Sequence, residues 1–161
     1  MSALFSTLAF VSLYIASIWP TGQVGFAASA SLFVAAAVIE TGRVSGICVF
    51  IISSALSLLL SPNRAAPLLY IAFFGYYPVI KSFIEQSKRV VLEWVLKLLV
   101  FNASLTVIWF LLRGFILDIE LNQLGIVILY IGGSVLFAVF DYGFTKVVNL
   151  YINRISKFTG K

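Results

Sequence analysis

The stretch 70–102, YIAFFGYYPVIKSFIEQSKRVVLEWVLKLLVFN, decides the fold because two apolar runs meet in it around the charged turn 86–89, QSKR. Lys81 and Glu85 precede the turn, and Glu93 and Lys97 follow it. Residues four apart share a helix face, so each acid can reach a base on its own helix. A short turn makes the two helices antiparallel, which puts both glutamates at similar depth and both lysines deeper. Since a lysine facing lipid is costly, we expect this hairpin to turn its polar stripe inward or toward a partner.

The composition predicts an all-α membrane protein in contact with the lipid bilayer. The 161 residues are 61% hydrophobic and 11% charged, with a mean hydropathy of +1.08, whereas soluble domains carry about 25% charged residues. The apolar runs are continuous, unlike the alternating segments of a membrane β-barrel. The net charge of +5 therefore reflects membrane topology, and we expect no nucleic-acid partner.

The scarcity of reactive side chains argues against catalysis. The sequence has no histidine and one cysteine, Cys48, so it carries no disulfide framework and no histidine-based triad. It also lacks a phosphate-binding loop of the Walker type. We therefore expect no enzymatic activity, no cofactor and no metal site.

The breaks between the apolar runs divide the chain into six spans within a single transmembrane domain, 1–161. The helices are predicted at about 2–19, 25–39, 44–60, 67–85, 91–115 and 124–144. An amphipathic basic tail follows at 145–161, and its apolar residues could continue the last helix or lie along the interface. The second span is rich in small residues, which favours close helix–helix contact. Pro78 lies inside the fourth span and is predicted to kink it and to free the carbonyl of Phe74.

The distribution of basic residues predicts the orientation. One side of the membrane collects Arg43, Lys81, Lys88, Arg89, Lys97, Lys146, Arg154, Lys157 and Lys161, and the other has only Arg64 and Arg113. Because cytoplasmic flanks are enriched in lysine and arginine, both termini are expected in the cytoplasm. The predicted location is a cell membrane, as a multi-pass protein of the bacterial inner membrane.

Two groups of polar residues are candidates for a functional site. The first is a cytoplasmic polar layer that would couple to a partner or relay a charge, and its members are Lys81, Glu85, Glu93, Lys97 and Asp141. The alternative is that these residues have no specific function and are paired charges near the interface whose side chains extend toward water. The second is a pocket for a small polar ligand, formed by Tyr77 beside the Pro78 kink together with Asn102, Trp109 and Arg113. Its alternative is ordinary hydrogen bonding between helices and in loops.

Further polar residues belong with this second candidate because they share the outer half of the predicted bundle. They are Gln23, Ser29, Asn63, Tyr70, Asn122 and Gln123. On the first span, Ser12 and Ala16 are four residues apart, a small-residue spacing typical of a helix-packing face.

Six short spans, a Pro-Thr-Gly break at 20–22 and a small-residue second span resemble the substrate-binding S-component of energy-coupling-factor vitamin transporters. The resemblance covers the whole chain in layout. It implies a small-molecule ligand in the outer half and a membrane partner, the transmembrane coupling protein with its ATPases, docked on the face of Ser12 and Ala16.

Three functional classes stay open at this point, and the first is the transporter subunit just described. The size and topology are also similar to membrane scaffold subunits of the cell-wall elongation machinery, of the rod-shape-determining D type. A third class would be a membrane protein whose polar hairpin binds lipid headgroups. The partner would then differ, and a homo-oligomer is also compatible with the sequence.

Overall fold

The computed structural model describes residues 1–87, 89–115 and 123–159. Within these ranges the description does not include the side chains of residues 20, 87, 110–115, 123, 124, 126 and 155–159. All regular structure in these ranges is helical. The helices are α1 (Ser2–Ile18), α2 (Gln23–Thr41), α3 (Arg43–Leu60), α4 (Ala65–Leu69), a π-helix (Tyr70–Phe74), α5 (Tyr77–Ile84), α6 (Val90–Phe115) and α7 (Gln123–Thr159), with 3₁₀ turns at Pro20–Gly22 and Glu85–Ser87.

Five of the helical stretches are long and apolar enough to cross a membrane. They are Gln23–Thr41, Arg43–Leu60, Ala65–Ile84, Val90–Trp109 and Val127–Arg154. The apolar helix α1, with 17 residues, lies at the short end of the range for a spanning helix. For the described residues, the prediction of an all-α membrane protein is confirmed.

The fourth span is interrupted one turn earlier than the proline suggested. The chain forms a π-helix at Tyr70–Phe74, closed by the bond that the Gly75 N–H donates to the Tyr70 carbonyl at 2.7 Å. Pro78 then falls in the first turn of α5, where its missing N–H costs no helical bond. The predicted break in the fourth span is therefore present, but it begins at the π-helix, and Pro78 lies at the start of the helix that follows.

The basic tail predicted after residue 144 continues the sixth span as a helix, which is one of the two arrangements that the sequence left open. Helix α7 continues without a break to Thr159, since no glycine or proline follows Gly143 within it. Val147 and Val148 on the tail line a groove together with Phe5 on α1. The tail therefore packs on the bundle as part of α7.

Small side chains allow the first three helices to pack closely. Helix α1 lies mainly against α2 and α3, and both Ala9 and Ala16 on α1 are fully buried there. Ala27 and Ala30 on α2 are fully buried as well. Close contact of these backbones agrees with the small-residue content predicted for the second span.

Candidate functional site

A cluster of buried charges joins α5, α6 and α7 at Asp141, which belongs to the apolar stretch Val127–Arg154. Asp141 Oδ1 accepts hydrogen bonds from Lys81 Nζ and, at 2.5 Å, from the Tyr77 hydroxyl. Its Oδ2 accepts from Lys97 Nζ at 3.1 Å. Both lysines and Asp141 are buried. The carboxylate therefore holds three helices together through groups that lipid cannot satisfy.

Glu85 completes this cluster from the end of α5. Its Oε1 lies 3.4 Å from Lys81 Nζ and 3.0 Å from Lys97 Nζ. Two ammonium groups thus meet two carboxylates, and the cluster is neutral overall. Neutral pairing with several hydrogen bonds is the condition under which charges are tolerated in a low-dielectric interior.

The mirror arrangement expected on the hairpin holds on one side only. Lys81 and Glu85 form the predicted i,i+4 pair. Among the described residues Glu93 forms no ion pair, and Lys97 turns to Glu85 and Asp141 instead. The expected pairing of Glu93 with Lys97 was therefore wrong, because the inward-facing lysine reaches two carboxylates, the buried Asp141 and the more exposed Glu85, rather than one.

An aromatic layer separates the charged cluster from the other half of the bundle. Phe73 packs on Tyr77 with ring centroids 5.0 Å apart, and Phe137 lies 5.5 Å from the Tyr77 ring. Phe101 stacks on Phe137 at 4.7 Å. Such ring pairs each add about 0.5–1.5 kcal/mol beyond the area that they bury. The layer keeps the Tyr77 ring in place while its hydroxyl points to Asp141.

The interrupted fourth span connects to three other helices through its tyrosines. The Tyr70 hydroxyl pairs with Ser53 on α3 at 3.0 Å, and the Tyr76 hydroxyl pairs with Ser104 on α6. Tyr77 reaches Asp141 on α7. The π-helix staggers these side chains, so that one segment contacts α3, α6 and α7.

A cavity of about 470 Å³ lies on the opposite side of the aromatic layer from the charges. It is bounded by the first turns of α2, the π-helix, the second half of α6 and the first half of α7. The lining is apolar except for Ser104, whose hydroxyl donates to the Val100 carbonyl and pairs with Tyr76. The wall consists of Val24, Gly25, Ala28, Leu69, Phe73, Phe74, Phe101, Ser104, Leu105, Ile108, Gly133, Leu136, Phe137 and Phe140.

Three of the four residues predicted to form a polar pocket, Tyr77, Asn102 and Trp109, do not line this cavity. Tyr77 belongs to the charged cluster, and Asn102 donates to the Leu98 carbonyl on its own helix at 2.8 Å. Neither of them nor Trp109 lines the cavity, and the side chain of Arg113 lies outside the described residues. Tyr77 and Asn102 thus bond to other partners, and a pocket that includes Arg113 stays a prediction.

The remaining polar residues of that group have other surroundings. Tyr70 pairs with Ser53, and Ser29 donates to the Phe26 carbonyl on its own helix at 2.8 Å. Asn63 Oδ1 accepts from the Ala65 N–H at 2.9 Å and so closes the turn before α4. Asn122 and the side chain of Gln123 lie outside the described residues, and Gln23 does not line the cavity.

The face expected to dock a partner lies largely inside the chain. Ala16 is fully buried and Ser12 is half-buried, with α1 packed on α2 and α3. Ala16 is thus part of the internal packing, and an external partner cannot reach it without displacing a helix.

Three participants in the site were missed from the sequence. Thr145 accepts a hydrogen bond from Lys81 Nζ at 2.6 Å while donating to the Asp141 carbonyl. Its spacing of four residues from Asp141 was the available signal. Phe137 and Phe140 carried no signal of their own, since aromatic residues recur throughout the chain.

Comparisons with known proteins give no family for this chain: no family model, no curated protein and no solved structure matches it.

Proposed function

We propose that this protein is the substrate-binding subunit of a small-molecule uptake transporter, of the S-component type, and that its ligand is largely apolar. The observation that carries the proposal is the cavity of about 470 Å³ beyond the aromatic layer. Ligand pockets of proteins are usually about 300–1,000 Å³ and predominantly apolar. The single polar side chain in the wall, Ser104, is already hydrogen-bonded within the protein, so it leaves little capacity for a charged ligand.

The proposal revises the ligand chemistry that the sequence implied. A vitamin held by amides and an arginine would need polar groups aimed into the pocket, and the cavity wall offers rings and aliphatic side chains. An apolar body of modest size fits such a wall, because burial of apolar surface is favourable by about 25 cal/mol per Å².

The orientation belongs to the same proposal. At one end of the bundle the start of α3 and the end of α5 lie together, since Arg43 Nη2 donates to the Ser82 carbonyl at 3.2 Å. The sequence places most lysines and arginines at this end, so we assign it to the cytoplasm. The cavity then lies in the outer half of the membrane, accessible to a ligand arriving from outside a bacterial cell.

The experiment is to identify what the purified protein carries. Gly25 lines the cavity, and a Cβ built on it meets no atom within 4 Å, so Gly25→Leu adds an apolar side chain at the cavity wall from a position with room for its first carbon. Gly132 on α7 also has open space around it but does not line the cavity, so Gly132→Leu is the matched control. Small molecules extracted from each variant are measured by mass spectrometry against the amount of protein.

A single apolar compound should accompany the wild-type chain and Gly132→Leu, and its occupancy in Gly25→Leu should fall by about tenfold or more, equivalent to about 1.4 kcal/mol of lost binding. Equal recovery from all three variants, or recovery of bulk membrane lipids alone, contradicts the proposal. Co-purification of a membrane subunit without ATPases would favour the scaffold class instead.

A further inference from the structure

The two carboxylates of the charged cluster are not equivalent. Asp141 uses both of its oxygens, and its side chain is 4% exposed. Glu85 uses one oxygen, Oε1, for both Lys81 and Lys97, and its side chain is 41% exposed. Glu85 is therefore the anion at the edge of the cluster, while Asp141 is enclosed by it.

The position of Glu85 places this edge at the membrane surface. It opens the 3₁₀ turn Glu85–Ser87, directly after the apolar stretch Ala65–Ile84 ends. Arg43 lies on the same end of the bundle, bonded to the Ser82 carbonyl and 4.3 Å above the Phe83 ring. A further positive charge so close raises the local concentration of anions.

Charge balance allows another anion to take the place of the Glu85 carboxylate in the cluster. Without Glu85, the two lysines and Asp141 carry a net charge of +1 in a buried site, which is costly. Replacement of Glu85 by another anion keeps the number of buried charges constant. The released carboxylate is already 41% exposed, so its return to water requires little rearrangement.

We propose that Lys81 and Lys97 form a binding site for a phosphate group, and that the Glu85 carboxylate occupies this site in the structure. A phosphate has several oxygens and can accept from both ammonium groups at once, and lysine binds phosphate as a point charge. Lipid phosphates lie at the depth where the apolar stretch ends. The shared chemistry is therefore an anionic phosphate, carried by a phospholipid headgroup or free in the cytoplasm.

The test uses the full chain in nanodiscs of phosphatidylcholine, with or without phosphatidylglycerol, and inorganic phosphate as the soluble probe. Native mass spectrometry counts retained phosphatidylglycerol, and the melting temperature is followed against phosphate concentration. Glu85→Gln should bind one of the two probes at least about tenfold more tightly than the wild type, since the internal competitor is gone.

Two variants provide the controls. Glu93→Gln makes the same charge change on the same hairpin at a residue without an ion pair in the described part of the chain, and it should bind as the wild type does. The double variant Glu85→Gln/Lys97→Met leaves one lysine facing Asp141, a neutral cluster, and should lose the gain.

The pattern of responses distinguishes the sources of phosphate. A response to inorganic phosphate in phosphatidylcholine discs indicates a free anion, and a response to phosphatidylglycerol alone indicates a lipid headgroup. Equal affinities of Glu85→Gln and Glu93→Gln overturn the proposal, as does a double variant that binds as tightly as Glu85→Gln.

If Glu85→Gln folds only in the presence of either probe, the proposal is supported. If it folds with neither, Lys97→Met decides, because a response to phosphatidylglycerol and to inorganic phosphate that equals the wild type for both probes would overturn the site.

Discussion

Asp141→Asn removes the one charge on which three helices converge while preserving the shape of the side chain. In the wild type, its carboxylate accepts from Tyr77, Lys81 and Lys97. After the change, both buried lysines depend on Glu85, and the cluster carries a net charge of +1. Removal of one partner from a buried ion pair typically costs about 3–5 kcal/mol, and we expect a loss of free energy of unfolding in this range.

The measurement is reversible unfolding in mixed micelles of dodecylmaltoside and sodium dodecyl sulfate, followed by the fluorescence of the three tryptophans. The free energy of unfolding is compared at a fixed mole fraction of the denaturing detergent. Glu93→Gln provides the matched control, since this carboxylate is half-buried and has no ion pair among the described residues, and its change should stay within about 0.5 kcal/mol.

A compensating variant isolates the electrostatic part of the effect. Asp141→Asn/Lys97→Met restores a neutral cluster of Lys81 and Glu85, and it should recover a substantial part of the lost stability, because apolar replacement of buried ions is often neutral or favourable. The reasoning is refuted if Asp141→Asn stays within about 1 kcal/mol of the wild type, the size of an ordinary substitution. It is also refuted if the double variant is less stable than the single one, since that result would mean that charge imbalance is not the cause.

Two other predictions concern packing and orientation. Gly75→Ala should destabilise the protein by about 1–3 kcal/mol in the same unfolding assay, because the added Cβ would overlap the Phe50 ring. The control is Gly143→Ala, whose Cβ meets no atom within 4 Å and which should be neutral or slightly stabilising. Equal effects of the two substitutions would contradict the close approach of Gly75 to Phe50. For the orientation, an epitope tag at either terminus of the chain should react with antibody only after the membrane is permeabilised, and reaction of both tags in intact cells would reverse the topology proposed above.

The apolar spans could be predicted because hydropathy is a local property. Lipid leaves no partner for a free backbone N–H, so a long apolar run has to satisfy its own hydrogen bonds as a helix. This rule placed α1 and α3 within a residue or two of their observed bounds. It did not place the π-helix at Tyr70–Phe74, because an interruption of that kind depends on how the Gly75 backbone approaches Phe50 on a neighbouring helix.

The candidate site was predicted in part for the same reason. The rarity of charges in an apolar chain singled out Lys81, Lys97 and Asp141, and the bundle brings all three together. Their partners were not readable, since Asp141 and Lys97 are 44 positions apart and meet only after α6 and α7 have packed. The i,i+4 spacing on one helix predicted that Glu93 pairs with Lys97, whereas in the folded chain Lys97 pairs with Glu85 and Asp141.

The amino-acid sequence alone determined that this protein resides in a membrane, that its described structure is helical, and that a few ionisable groups must be hidden from lipid. Each of these follows from the cost of placing polar atoms in hydrocarbon, which acts on every residue regardless of its neighbours. Tertiary structure decided that Tyr77 faces the charges, that the nearby cavity is apolar, and that Glu85 forms the exposed edge of the cluster. These outcomes depend on which helix faces meet, and the contacts responsible join residues far apart in the chain.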